Sequence, residues 1–280
     1  GEEEGISLTT DDIKSSLKGL SKTIDGTGYA FTIAELPGRG LKEITELQGY
    51  VHLRYLNLSG NLIVNLDVLS NMSHLLSIDL SNNRLEDVKL PALEFLQVLD
   101  LSMNRIKEIQ ELSFPLLSKL ILSKNQIESI GKLDGNPNLK HLDLVENQLT
   151  SCEGLGVSSL EQLKLRANKV NGLKGLENVV NVTELDMSEN SIESLAGLNP
   201  DGKLKTLNLS SNQIPSMDAL EALGALKLEN LDVRENPIME NFEKPKVIKA
   251  VPSLTSLNGE PLTAEEKEAA LKEEEAADAA

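Results

Sequence analysis

The sequence predicts an α/β solenoid, in which short parallel strands line a concave face and short helices or 3-10 turns form the convex face. The spacing Leu-x-x-Leu-x-Leu-x-x-Asn occurs nine times, with Ile, Val or Met in some Leu positions of three copies, at steps of 21 or 22 residues until the last step of 24. Further apolar residues follow each Asn at matching offsets. A short period of this kind is typical of proteins whose units are buried only by stacking on their neighbours.

The period and spacing are those of leucine-rich repeats. In the first copy, Leu56 and Leu58 lie two residues apart and therefore point to the same side of a short strand. Ile63, Leu66 and Leu69 then turn the chain back over the same core. Each buried Leu or Ile contributes about 1.5–3 kcal/mol before conformational entropy is subtracted. Stacking of these aliphatic side chains is therefore expected to stabilise the fold.

The asparagine that closes each copy is predicted to belong to a structural ladder. Its amide offers an acceptor and two donors for turn backbone groups that would otherwise be buried unpaired. The ladder comprises Asn61, Asn83, Asn104, Asn125, Asn147, Asn168, Asn190, Asn212 and Asn236.

Both ends of the stack are predicted to carry caps, because terminal repeats would otherwise expose apolar faces. At the front, Thr9 to Asp12 matches a capping box, and Ile13, Leu17 and Leu20 fall on one helical face. A degenerate repeat then follows, in which Phe31, Ala34 and Leu36 take the leucine positions.

We therefore expect one elongated domain with four parts. An N-terminal acidic segment and capping helix (1–28) precede a solenoid of about ten repeats (29–236). A C-terminal cap (237–260) leads into an acidic Ala/Glu tail (261–280), which is either helical or disordered.

Charge and cysteine content limit the possible functions. The formal net charge of −17 argues against binding to nucleic acid or to an anionic membrane surface. No stretch approaches 18 consecutive apolar residues. The single cysteine favours a reducing compartment, and we expect the protein in the cytoplasm.

No pattern for catalysis or cofactor binding is present. Cys152 falls at an offset that other repeats fill with core Leu or Ile. His52 and His74 each precede the first Leu of a repeat, and His141 lies on a strand without a predicted catalytic partner. There is no phosphate-binding loop, dinucleotide fingerprint, zinc pattern or nucleophile elbow. The sequence thus predicts a non-enzymatic protein without metal, cofactor or small-molecule substrate.

The concave face is the predicted protein-binding surface. Side chains between the strand leucines form a mostly acidic row that includes Asp79, Asp100, Asp143 and Asp186, broken by Ile121 and Lys164. An alternative is that these carboxylates only keep the strand face solvated.

An apolar patch is predicted beside this row. Its members are Leu76, Val98, Met103, Ile121 and Val145. His141 lies nearby, and a basic cluster comprises Lys119, Lys124, Lys164 and Arg166. We expect a helix or an extended segment of a partner to dock there.

The repeat resembles a 22-residue intracellular leucine-rich-repeat subfamily, which includes a phosphatase regulator and axonemal proteins. The front of the chain is more specific: Leu8-Thr9, the helix, Tyr29 and the segments 41–44, 50–55 and 74–76. It is similar to leucine-rich-repeat proteins of the axonemal radial spoke. That resemblance covers about residues 8–258, most of it through the shared repeat.

The resemblance implies a structural subunit that mediates protein–protein interactions in the radial spoke of motile cilia or flagella. Its partners would be other spoke subunits, and its location the cytoskeleton of the axoneme. Two alternatives are a regulatory subunit that docks a phosphatase or another cytosolic or nuclear enzyme, and an acidic binder of histone or chaperone type.

Overall fold

The computed structural model describes residues 4–278, and the chain forms two units, Gly1–Asp143 and Leu144–Ala280, which are described separately. The first unit begins with a cap made of β1 (Ile6–Ser7), α1 (Thr10–Ser16), β2 (Leu17–Lys22), β3 (Tyr29–Glu35) and β4 (Leu41–Glu43).

The predicted capping box at the start of α1 is confirmed. The Thr9 hydroxyl accepts from the Asp12 amide at 3.2 Å, and the Asp12 carboxylate accepts from the Thr9 amide at 3.1 Å. Arg39, which replaces the ladder asparagine in the degenerate repeat, lies 3.7 Å from the same carboxylate. These contacts join the cap to the first repeat.

The prediction that the capping helix includes Leu17 and Leu20 is wrong. The helix ends at Ser16, and β2 pairs antiparallel with β3, with Leu20 opposite Phe31. Pairing satisfies the backbone groups of β2 along a whole strand, whereas a short isolated helix is marginal in water. Gly19, with φ +67°, adopts a left-handed conformation that also disfavours a continuing helix.

The assignment of Phe31 to the core is also wrong. Thr32 and Ala34 of β3 are buried, so the alternation of the strand places Phe31 on the opposite face with 44% of its surface exposed.

The repeats of the first unit contribute short strands and 3-10 helices. The strands are β5 (Tyr55–Asn57), β6 (Ser77–Asp79), β7 (Val98–Asp100), β8 (Glu108–Glu111), β9 (Lys119–Ile121), β10 (Ser129–Lys132) and β11 (His141–Asp143). The 3-10 helices span Thr45–Gly49 and Asp67–Asn71.

The sheet of this unit has the order β2-β3-β5-β6-β7-β9-β11, and its strands are parallel from β3 onward. Leu56, Ile78, Leu99, Leu120 and Leu142 lie in register and are buried. The leucines of the template therefore form the core.

Strands β8 and β10 form a separate parallel pair where the chain returns over the core. The sequence predicted only helices or turns there. Ile109 and Ile130, paired in register, take the place that Leu66 holds in the first copy. β-branched side chains favour extended backbone, which accounts for the difference.

The second unit repeats the same arrangement. Its strands are β12 (Gln162–Lys164), β13 (Glu184–Asp186), β14 (Thr206–Asn208), β15 (Asn230–Asp232), β16 (Ser256–Leu257) and β17 (Glu260–Pro261). Its helices are the 3-10 segments Met217–Leu223 and Pro237–Asn241, together with α2 (Lys244–Ala250) and α3 (Ala264–Asp278). Strands β12 to β16 are parallel neighbours, and β17 folds back antiparallel on β16.

The C-terminal elements pack on the last repeat. Val247 and Ile248 of α2 are buried. The acidic tail is helical from Ala264 to Asp278, and Thr263 and Glu266 form a capping box at its start. Helix α3 also packs at its start, because Ala270 is fully buried and the Lys244 ammonium lies 2.6 Å from the Glu266 carboxylate.

The recurrent asparagines are buried and bond to two repeats at once. The Asn125 amide nitrogen donates to the carbonyls of Leu122, in its own repeat, and of Leu101, in the preceding repeat, each at 3.0 Å. Its amide oxygen accepts from the Ile106 backbone N–H at 3.1 Å. The residue before it, Lys124, has φ +56°, a left-handed conformation repeated before each ladder asparagine.

Asn136 makes the same kind of contact outside the ladder and was missed from the sequence. It is fully buried; its amide donates to the Leu112 carbonyl at 2.7 Å and accepts from the Phe114 N–H at 2.9 Å. It lies outside the repeat template, so its spacing gave no signal.

Replacing Asn125 with Ala should lower the free energy of unfolding by about 1–3 kcal/mol, because buried backbone groups of two repeats lose their partners. Urea unfolding followed by circular dichroism measures the change. Asn71→Ala, at an exposed position of the first unit, is the control and should leave the midpoint in place. An equal midpoint for both variants would contradict the ladder.

Candidate protein-binding face

The open face of the first unit consists of two rows of side chains that lie in register across the parallel strands. One row runs through Ile33, Tyr55, Ser77, Val98, Lys119 and His141, and the other through Glu35, Asn57, Asp79, Asp100, Ile121 and Asp143. Neighbouring strands lie about 4.8 Å apart, so each row is a regular array. Such an array can contact an extended or helical segment over several repeats.

The structure brings together only part of the predicted apolar patch. Leu76 and Val98 are neighbours, since the Val98 amide donates to the Leu76 carbonyl at 3.1 Å, and Ile121 lies one strand further along in the other row. All three are half-buried. Met103 is 47% exposed but lies in the left-handed turn after β7, and Val145 belongs to the second unit.

The acidic row takes part in building the turns. One Asp100 carboxylate oxygen accepts from the Ser102 amide at 2.9 Å and from the Ser102 hydroxyl at 2.6 Å. Asp79 makes the same contacts with Ser81, and in the second unit Asp186 makes them with Ser188.

Two asparagines show that this position does not require a charge. Asn57 and Asn208 accept from the backbone two residues on, at 3.0 Å each, in the same geometry. These bonds are Asx turns. The signal in the sequence was the Asx-x-Ser spacing, which sequence analysis did not use. Neither of the two roles predicted for the acidic row, partner binding and simple solvation, includes this structural role.

Contacts within the protein also change the interpretation of the predicted basic cluster. Arg166 lies 3.0 Å from Glu189 and 3.4 Å from Glu146, and the hydrogen bond to Glu189 raises the pKa of the guanidinium. Lys164 lies opposite Asp186 in register. In the first unit, Lys119 lies opposite His141, while Lys124 occupies a left-handed turn. Arg166 is thus an ion-pair partner within its own unit.

More exposed apolar side chains lie at the other end of the open face of the first unit. Leu20, Phe31 and Tyr55, on β2, β3 and β5, expose 62%, 44% and 46% of their surface. The repeat pattern did not reveal them, because Leu20 also fits a helical face and Phe31 also fits a core position of the repeat.

Comparisons with protein families agree with this architecture. The model described as "Leucine Rich Repeat" matches residues 74–96 and 203–226, and the model "Leucine Rich repeats (2 copies)" matches residues 115–157. The same strand, turn and asparagine contacts extend through both units.

The chain folds as a leucine-rich-repeat solenoid.

Among curated relatives, this chain is 36% identical over 91 residues to human leucine-rich repeat-containing protein 23 and 35% identical over 91 residues to the bovine protein. The alignments cover 32% of the chain in both cases, and 26% and 27% of the relatives. The chain therefore spans about a quarter of the length of the curated relatives it matches.

Solved structures support the repeat fold alone. An internalin (inlF) of Listeria monocytogenes aligns with TM-score 0.57 and 22% identity, over 83% of this chain and 76% of its own. A chain of the Toll–Spatzle complex of Drosophila aligns with TM-score 0.58 and 23% identity, over 74% of this chain and 31% of its own. Both show a leucine-rich-repeat solenoid.

Within residues 4–278, no three His, Cys, Asp or Glu side chains are grouped to hold a metal ion. No helix in that range has the length and apolar character needed to cross a bilayer. Proteins with this fold typically act as interaction scaffolds, since repetition builds extended binding surfaces.

Replacing Asp100 with Asn should leave stability nearly unchanged, because the amide oxygen can still accept from Ser102 and the charge facing Asp79 is removed. Asp100→Ala should cost about 1 kcal/mol by removing the turn hydrogen bonds. Thermal unfolding of both variants, with exposed Asp134→Ala as control, distinguishes the turn role from simple solvation. Equal melting temperatures for the Asn and Ala variants would exclude the turn role.

Cys152 should resist thiol reagents in the folded protein. It is fully buried, and burial raises the pKa of its thiol to about 12, with a further contribution from the Glu177 carboxylate. We expect labelling by iodoacetamide near pH 8 to follow global unfolding, since the reactive species is the thiolate. Rapid labelling without denaturant would refute a purely structural thiol.

Proposed function

We propose that this protein is a non-enzymatic structural subunit of the radial spoke in motile cilia or flagella, where it joins other spoke proteins. The similarity to the human and bovine relatives carries the proposal, together with the non-repeat residues at the front of the chain. The repeat template alone does not separate a spoke subunit from other leucine-rich-repeat proteins.

The geometry of the repeats supports a scaffold. Parallel strands in register keep side chains on neighbouring repeats at a spacing of about 4.8 Å. Each ladder asparagine adds hydrogen bonds between adjacent repeats, as Asn83 does with Leu58 and Ile63. Such a rigid surface loses little conformational entropy when it binds, which favours its use as a fixed connector.

The contact surface of this scaffold includes the open face around Leu76, Val98 and Ile121. These side chains are half-buried and lie between polar neighbours such as Asp100 and Lys119. A partner that covers them gains apolar burial at the centre and polar contacts at the rim, the usual arrangement of an interface.

The alternative of an acidic histone or chaperone binder has weaker support. Asp79, Asp100 and Asp186 accept hydrogen bonds that build turns, so the regular row of carboxylates has a role in folding. The alternative of a phosphatase regulator predicts a different cellular location, in the cytosol or nucleus rather than in the axoneme.

We expect the protein to remain with demembranated axonemes and to give crosslinks to spoke subunits by mass spectrometry. In cells that express only the double variant Val98→Ser and Ile121→Ser, these crosslinks should fall about tenfold, since two apolar contacts are lost. The matched control is Val64→Ser, which changes an apolar side chain that is 50% exposed and follows a ladder asparagine.

One result would contradict the spoke assignment, and a second would contradict only the contact surface. Release of the wild-type protein into the detergent-soluble fraction in complex with a phosphatase would support the regulator instead. Full crosslinking by the double variant would leave the spoke assignment intact but move the contact away from Val98 and Ile121.

A further inference from the structure

The exposed aromatic residues are concentrated at the N-terminal end of the first unit. The chain has only four Phe, three Tyr and no Trp. Four of these seven are exposed: Tyr29, Phe31 and Tyr55 here, at 66%, 44% and 46%, and Phe95 elsewhere in the first unit, at 43%. Leu20, beside the first three, is 62% exposed. We call Leu20, Tyr29, Phe31 and Tyr55 the hairpin surface.

Strand register places these side chains on one face. Leu20 lies opposite Phe31 and Lys22 opposite Tyr29 in the antiparallel β2–β3 pair, and Ile33 lies beside Tyr55 in the parallel β3–β5 pair. Directly opposed residues have Cβ atoms about 4.5–5.5 Å apart, so their side chains form a continuous apolar surface.

The cap does not need this surface for its own folding. The inner face of the hairpin, with Thr32 and Ala34 buried, already closes the core. The outer face of an antiparallel pair is ordinarily polar where it meets water. Aromatic side chains bury about 150–250 Å² each when covered and dominate interface energetics. Their exposure here therefore points to a partner.

Charge indicates what kind of partner fits. From Ile13 to Ile24 there are three lysines and no acidic residue, in a chain of net charge −17. The acids of the hairpin are engaged locally: Asp25 accepts from the Thr23 and Thr27 hydroxyls, and Glu35 lies 2.8 Å from Lys18.

Two cations stand at the end of the hairpin surface. Lys22 lies opposite Tyr29, and the Arg54 guanidinium donates to the Lys22 carbonyl at 3.1 Å. Apolar contacts at the centre with cations at one edge match a segment that carries apolar anchors beside carboxylates.

We propose that the hairpin surface docks an acidic segment of another protein, whose apolar side chains pack on Phe31 and Tyr55 and whose carboxylates face Lys22 and Arg54. The proposal deepens the scaffold function by naming the chemistry of a partner. A second copy of the chain fits less well, because its own hairpin surface carries the same cations and its Glu35 carboxylate is already paired with Lys18.

The test uses the purified full-length chain and short fluorescent peptides. One peptide combines Leu and Phe with Glu, a second replaces Glu with Lys, and a third replaces the apolar residues with Ser. Fluorescence anisotropy should show saturable binding of the first peptide, and binding of the other two should be about tenfold weaker or absent.

Variants locate the site. The triple variant Leu20→Ser, Phe31→Ser and Tyr55→Ser should reduce affinity for the acidic peptide at least about tenfold, and Lys22→Glu should weaken it and reduce its salt dependence. Phe95→Ser with Leu116→Ser changes two apolar side chains that are each 43% exposed elsewhere in the first unit, and should bind like the wild type. Because all these side chains are exposed, thermal unfolding should be nearly unchanged in each variant.

Several outcomes would overturn the proposal: undiminished binding by the triple variant, equal binding of the lysine peptide, or tighter binding to single-stranded RNA or to phosphatidylserine vesicles. Dimerisation in light scattering that the triple variant abolishes would assign the surface to a second copy. The peptide assay does not depend on an axoneme, so its failure and failure of the spoke assignment are separate results.

Discussion

The buried asparagine amide is the constraint on which the structure depends. A strand of three residues leaves most backbone groups of the adjoining turns without a ladder partner, and such groups are costly when buried. Asn125 satisfies one N–H and two carbonyls, from its own repeat and from the preceding one. The left-handed residue before it turns the chain where the amide enters the core. Stacked leucines supply the burial, and the amides make that burial compatible with a turn in every repeat.

The same requirement shapes the open face. Immediately after each strand the chain turns again, and Asp100 or Asn57 accepts from the residues that make this turn. The side chain that points to solvent at this position is therefore selected partly by backbone chemistry. The regular recurrence of one type of side chain on an open face is weak evidence of binding when a local hydrogen bond explains that recurrence.

The sequence was sufficient to predict the features that recur in every repeat. Period 2 identified the inward leucines of each strand, and the asparagine spacing identified the buried amides. It failed where the chain leaves the template. Leu20 fits a helical face as well as a strand, and only the pairing of β2 with β3 decides between them. Phe31 fits the leucine offset, but the longer β3 fixes its alternation from Ala34. Asn136 had no repeated position to reveal it. In these cases long-range pairing overrode local pattern.

The difference between residues fixed by the repeat template and residues outside it also bears on partner recognition. A side chain fixed by the template, such as Leu56 or Asn61, cannot vary without cost to the fold, so it carries little information that distinguishes one partner from another. Specificity must come from residues that the template leaves free. Among the described residues of the first unit, three of the four exposed aromatic side chains, Tyr29, Phe31 and Tyr55, lie on the capping hairpin and on β5. The cap covers the core with one face and offers the other for binding, so the part of the sequence that was hardest to predict is the part best suited to choose a partner.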